Sequence, residues 1–447
     1  MNKFNTKSIH MVLALLSVLF LSESACYSET TYKISQFISP DTCGGCHSEI
    51  FSQWENSMHN LSQKDPIYLS LSEFLLKGLT DKDELLEAQS CVKCHVPVGF
   101  VTGYPLKTSD DREKIDELSI QGIQCDYCHS VTGAKKMFNN GLILSPGNGE
   151  EDPGIKRGPY KDSESDFHET AYSEFHTSSK ICGTCHNVKH VVFNTPLEST
   201  YDEWEKGPYY SSNPEKNVTC QDCHMYQRPG IPATGSTPRP PNKGYASDDG
   251  PIRDHVFTHY FVGGNKQVPG LFGDKGKLKM AEERLRNAAH LSINDHLASK
   301  QSLKIKITNS GAGHYLPTGL TDIRQMWLEI NIENENQKII YSSGQLDSNG
   351  YLPQDAIIFN TVYGDGKGNP VVNISKAREI LKDKRIPPLE SVYETITLPQ
   401  GKWKHLTVKV KLLYRSAPQK LLDQVSGKGK ITMPVTTMAE LSKRITM

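Results

Sequence analysis

"PDTCGGCHSEIFSQWENSMH", residues 40–59, opens the part of the chain whose reading decides the fold. At its centre is Cys43-Gly-Gly-Cys46-His47, two cysteines separated by two residues with histidine directly after the second. The pattern returns as Cys91-Val-Lys-Cys94-His95, Cys125-Asp-Tyr-Cys128-His129, Cys182-Gly-Thr-Cys185-His186 and Cys220-Gln-Asp-Cys223-His224. It uses ten of the 11 cysteines. A lone pair could be a redox dithiol or half of a zinc site, paired copies could form zinc ribbons, and exported cysteines could be disulfides. None of these chemistries asks for histidine after the second cysteine, yet histidine stands there five times in five. C-x-x-C-H is the attachment signature of c-type haem. Two thiols add across the two haem vinyl groups, and the adjacent imidazole binds iron from the proximal side. The expected cofactor is haem c, five copies, each held covalently.

The gaps between motifs are 43, 29, 52 and 33 residues. Flat macrocycles carried so densely must pack against one another, which suits electron tunnelling. They also supply apolar surface to a chain of 447 residues that is only 36% hydrophobic. Lys plus Arg number 50 against 51 Asp plus Glu, with no basic stripe, which argues against a nucleic-acid partner.

The N-terminus reads as an export signal, residues 1–28. Lys3 and Lys7 form its positive start, and Met11 to Leu21 is apolar apart from Ser17. That run is far shorter than the roughly 20 residues needed to span a bilayer. A periplasmic or extracellular location follows. Cys26 is the odd cysteine, and Glu23 stands where a lipidation signal prefers an aliphatic residue.

Beyond the motif histidines and His10 of the leader, ten histidines could close an iron from its distal side: His59, His168, His176, His190, His255, His259, His290, His296, His314 and His405. A bis-histidine haem suits electron transfer, whereas an iron without a distal ligand is open to small molecules. Several stretches resemble the multihaem cytochrome c superfamily, which includes the tetrahaem electron carrier of ammonia oxidation and the hydroxylamine oxidoreductases. They are residues 40–59 with Trp54 and His59, "FHTSSKICGTCH" at 175–186, "YDEWEKGPY" before "CQDCHM", "HYFVGGN" at 259–265 and "GAGHYLPTG" at 311–319. The resemblance implies His59, His176, His259 and His314 as distal ligands. For a fifth, the residues leave His168, His190 and His255, none singled out. His290, His296 and His405 read as surface positions. The related pentahaem nitrite reductases mostly carry C-x-x-C-K at their active haem, and that motif is absent here.

The fold expected is α + β. A haem-packed, mostly helical or irregular pentahaem domain occupies residues 40–264, with helical segments near 48–60 and 81–91. Residues 130–167, rich in Gly, Pro and acids, read as an excursion loop, and 227–251 as a Pro/Gly-rich belt. A connecting helix falls within 265–300, over "KLKMAEERLRNAAHL" at 277–291. Residues 301–447 read as an antiparallel β-sandwich, from the period-2 stretches "SLKIKITNS", "MWLEINI", "YETITL" and "HLTVKVKLL". A short closing helix is expected at "TMAELSKRI". No catalytic set is recognisable in this part, and "GDGKGN" at 364–369 reads as a turn.

Three functions remain open. One is an electron carrier between redox partner proteins, such as a quinol-side donor and a terminal acceptor. Another is a haem enzyme with one open iron, acting on a small nitrogen or sulfur compound. The third is a self-associating subunit of a polymeric extracellular cytochrome.

Overall fold

The structure is a computed structural model that describes residues 32–293 and 302–446. The expected leader, Cys26 and His296 lie outside the described residues.

The first half is a string of short helices joined by irregular chain, including Pro40–Gly44, Ser48–Trp54, Pro66–Leu76, Lys82–Ala88, Cys125–His129, Thr200–Glu205 and Cys220–His224. Their brevity follows from the motifs, each of which closes a single helical turn. His47 N–H donates to the Cys43 carbonyl at 2.9 Å, and His186 N–H to that of Cys182 at 2.9 Å. One turn therefore carries both the first thiol and the imidazole to the same side. Local chemistry fixes where turns begin. Asp65 accepts from Ile67 N–H ahead of Pro66, and Thr219 and Asp222 form a capping box around the fifth motif. At Gly183 an added Cβ would lie 2.3 Å from the Tyr201 ring, so only glycine lets the fourth motif seat on Thr200–Glu205.

The stretch expected as an excursion loop contains pairing of its own. Val131–Ala134 and Leu142–Leu144 form an antiparallel hairpin. Ile155–Gly158 then pairs in parallel with Glu169–Tyr172, returning the chain and placing residues 159–168 beside the first motif.

The second half is a two-layer antiparallel sandwich. One sheet runs Ser391–Thr397, Ser302–Asn309, Ala289–Ile293. The other runs Ile339–Ser343, Gln325–Glu333, His405–Arg415, Thr436–Thr446, with Ile358–Phe359 also pairing Gln325–Glu333. The period-2 pattern puts Leu303, Ile305 and Ile307 of one sheet against Met326, Leu328, Ile330, Val408 and Val410 of the other, all buried.

Two expected helices are corrected. The helix near 277–291 runs Lys275–Arg286 and stops at Asn287, after which Ala289–Ile293 is a strand. "TMAELSKRI" is the strand Thr436–Thr446, paired along His405–Arg415 with Met438 and Ile445 in the core. Its residues favour a helix in isolation, but a long ladder and a buried face override that preference. An unforeseen helix, Gln419–Ser426, packs instead on Pro66–Leu76 near the other end of the chain.

The two halves meet through a buried ion cluster. Glu203, on Thr200–Glu205, pairs with Arg385 of the sandwich, and Arg385 also pairs with Asp383 at 2.8 Å. The second Glu203 oxygen accepts from Tyr315 N–H at 3.1 Å and the Thr318 hydroxyl at 2.8 Å. One carboxylate thus ties the 314–318 loop to the helical half. Breaking a buried pair strands a charge, which costs about 3–5 kcal/mol. Glu203→Ala should lower stability by about that much, against less for Asp355→Ala on the surface, in denaturant unfolding followed by circular dichroism.

Candidate functional site

A cavity of about 1450 Å³ lies between the helices and the inner edge of the sandwich. All ten motif cysteines and all five motif histidines line it. So do His59, His168, His176, His259 and His314, whereas His190, His255, His290 and His405 do not. Much of the remaining lining is apolar, from Trp54, Tyr127, Tyr201, Trp204, Phe257 and Phe261. His186, whose side chain is about half exposed, lines this cavity too.

The motif imidazoles share one arrangement. Nδ1 of His47 donates to the Ala246 carbonyl at 2.6 Å, that of His95 to Ser62 at 2.9 Å and that of His129 to Arg157 at 2.6 Å. His186 uses the Glu198 carboxylate at 3.2 Å, and His224 the Val262 carbonyl. Anchoring Nδ1 fixes the tautomer and leaves Nε2 as the free, metal-binding nitrogen. Burial pushes His95, His129 and His224 below the ordinary imidazole value, which keeps the rings neutral as a metal requires. At His186 burial works the same way, but the hydrogen bond and charge of Glu198 outweigh it and raise the ring to about 9.

Further rings stand opposite these. The His47 and His168 centroids are 6.5 Å apart with planes at 22°, those of His186 and His59 6.2 Å apart at 22°, and those of His129 and His259 6.3 Å apart at 28°. Nδ1 of His168, His259 and His314 donates to the carbonyl of Glu169, Phe257 and Tyr315 respectively, again freeing Nε2. His314 is an electrostatic neighbour of His224. Burial, then the neighbouring imidazoles, pushes His59 and His259 down to about 3. The His59 backbone is set by the chain before the third motif. Ile123 N–H donates to its carbonyl at 3.0 Å, and Gly122, at φ 72°, passes so close that a Cβ would lie 2.4 Å from that oxygen.

The residues fit haem. Metal–imidazole bonds of about 2.0–2.1 Å, with each ring centre about 1.2 Å further back, would put two rings across one iron roughly 6.5 Å apart. The three pairs, at 6.5, 6.2 and 6.3 Å, lie close to that spacing. The ten cysteines are free thiols rather than disulfides. Among the described residues no three His, Cys, Asp or Glu side chains converge as a bare ion would need. Thiols of different motifs lie within hydrogen-bonding reach: Cys43 with Cys125, Cys94 with Cys185, and Cys182 with Cys220. The attachment points therefore interleave, first beside third, second beside fourth, fourth beside fifth.

His176, expected as a distal ligand, lines the cavity with both ring nitrogens hydrogen-bonded. Its ring is 5.7 Å from that of His129, but Nε2 donates to the Cys128 carbonyl at 2.9 Å and Nδ1 meets the Ser173 hydroxyl at 2.8 Å. Both nitrogens are engaged, so the ring braces the third motif. His168, one of three residues left undistinguished by sequence, instead faces His47. His190 bonds the Ser375 carbonyl and two backbone N–H groups, and His255 stacks on Tyr226 at 3.7 Å, both outside the cavity. Sequence reasoning also missed Tyr68, whose ring stacks on His95 at 3.8 Å and 6°. No histidine stands across from His95 in any ring contact among the described residues.

Residues 42–130, which hold the first three motifs, match the family model described as cytochrome c554 and c-prime. No curated protein sequence matches the chain at a significant level. Among solved structures the chain is similar to a penta-heme cytochrome c552 from Thermochromatium tepidum, at 18% identity and a TM-score of 0.63, over 93% of this chain and 100% of that one. At that identity the likeness is one of fold. The family match covers residues 42–130 alone, and the structural likeness shows a shared fold over most of the chain.

Proposed function

We propose that this chain is an exported c-type cytochrome that holds five haems and passes electrons through them. The observation that carries this reading is the cavity, which gathers every motif and sets a second histidine opposite most of them. The pairs are His47 with His168, His129 with His259, His186 with His59, and His224 with His314. Bound haem iron supplies one-electron chemistry, cycling between ferric and ferrous. The chain's own residues do the rest. Ten cysteines would tether the haems, the paired imidazoles would hold four of the irons from both sides, and aromatic walls line the cavity. Irons held from both sides would be closed to substrate, which favours a carrier. The leader at residues 1–28 would direct export to a compartment where the cofactor is attached. Redox partner proteins on the donor and acceptor sides are implied by the same reading.

One observation supports a second reading, a haem enzyme. His95 has Tyr68 beside it and no histidine opposite. Glu87, its carboxyl pushed up to about 7 by burial, lines the same cavity and could hold a proton there.

Low-temperature EPR of the air-oxidised protein separates the two. The carrier reading expects low-spin ferric signals from the four paired sites, with at most one-fifth of the iron high-spin and unchanged by nitrite. A high-spin signal converted by nitrite would favour the enzyme. The ligand pairs make a sharper prediction. His259→Ala should convert a further one-fifth of the iron to high spin, whereas His176→Ala should convert none. The reverse result would restore His176 as the ligand.

A further inference from the structure

We infer that the first motif is the docking face for a basic redox protein, one whose own metal centre is ringed by lysines. The inference rests on the electron-carrier reading. Of the ten motif cysteines, only Cys46 is exposed. The cavity wall at this end is formed by the returning 159–168 segment and the turn near Asp248, whose N–H donates to the Cys46 carbonyl at 2.8 Å. We take this wall as the face that a partner approaches.

The surface around this opening is mainly acidic, although Arg253 pairs with Asp162 there at 2.6 Å and Lys243 is exposed nearby in sequence. Residues 149–174 carry eight carboxylates against three cations. Those cations are engaged: Lys156 with Asp126, Arg157 with the Ile155 carbonyl, and Lys161 over the Tyr172 ring. Glu164, Asp166 and Asp249 line the mouth itself and are exposed. Phe167, in the same lining, is exposed at 51%, and the paired Tyr245 and Ile252, close in sequence to Asp249, are exposed at 53% and 55%. A carboxylate rim around an apolar centre is the complement of a lysine ring around an exposed redox centre. The occupant is therefore a cationic redox protein. One electron crosses from the reduced centre to the oxidised one, and no bond forms or breaks.

The haem-loaded protein is titrated calorimetrically with a small lysine-rich c-type cytochrome. Binding at low salt should weaken tenfold or more at high salt, because exposed charges are screened. Glu164→Lys, Asp166→Lys and Asp249→Lys combined should weaken low-salt binding at least tenfold, with haem content and spectrum unchanged. Asp355→Lys, an exposed carboxylate on the sandwich outside the cavity lining, should stay within twofold. Equal losses in both variants, no loss in the triple variant, or tighter binding of an acidic flavodoxin would each overturn the proposal. A small neutral mediator separates the two failures. If it reduces the protein while the triple variant still binds normally, the docking face is wrong and the carrier stands. If no mediator reduces it, the carrier reading falls and the proposal with it.

Discussion

An imidazole can be held by one nitrogen and work through the other, and the organisation of this molecule depends on that division. Four of the five motif histidines are tied at Nδ1 to an acceptor elsewhere in the chain, reaching Ala246 in the case of His47. These ties fix ring orientation to within what a hydrogen bond allows, and they also stitch the irregular first half together. Three of the opposing histidines use the same device with a carbonyl next to them in sequence. His186 differs, since its acceptor is the carboxylate of Glu198. A full negative charge raises ligand basicity more than a carbonyl dipole does, so the fourth site has the most electron-rich proximal ring.

The same constraint explains the division of labour between the halves. A chain this poor in apolar residues still builds one conventional core, between the two sheets of the sandwich. The helical half has only small clusters, around Leu61, Phe37 and Val92. What lies at its centre is the cavity, and the flat, apolar cofactors proposed to occupy it would complete the interior that side chains leave unfilled. The sandwich then acts as a rigid backing. It presents His314 to the cavity from a loop locked by Glu203 and Arg385.

How much of this was legible in the sequence follows from how local each feature is. The thiol and proximal imidazole of a motif sit on one helical turn, so spacing alone exposes them. Strands such as Ser302–Asn309 announce themselves by alternation. The closing strand did not, because Ala, Glu, Leu and Lys favour a helix until His405–Arg415 pairs with them. Pairing of histidines across the cavity is a long-range property. His176 lies close to a motif in sequence and resembles a family ligand, yet a carbonyl only 48 residues away captures its Nε2. His168 has no local signal at all. It reaches His47 because Ile155–Gly158 and Glu169–Tyr172 pair in parallel and fold the acidic excursion back. Tyr68 on His95 is equally silent in the sequence.

The account stands or falls on how many cofactors the chain carries. Intact-mass spectrometry of the mature protein, purified from a host that attaches haem c, counts them directly. Five haem masses on a chain cleaved near residue 28 is the predicted result. A mass corresponding to four or fewer would contradict it, because at least one motif would then stand in the cavity without a cofactor.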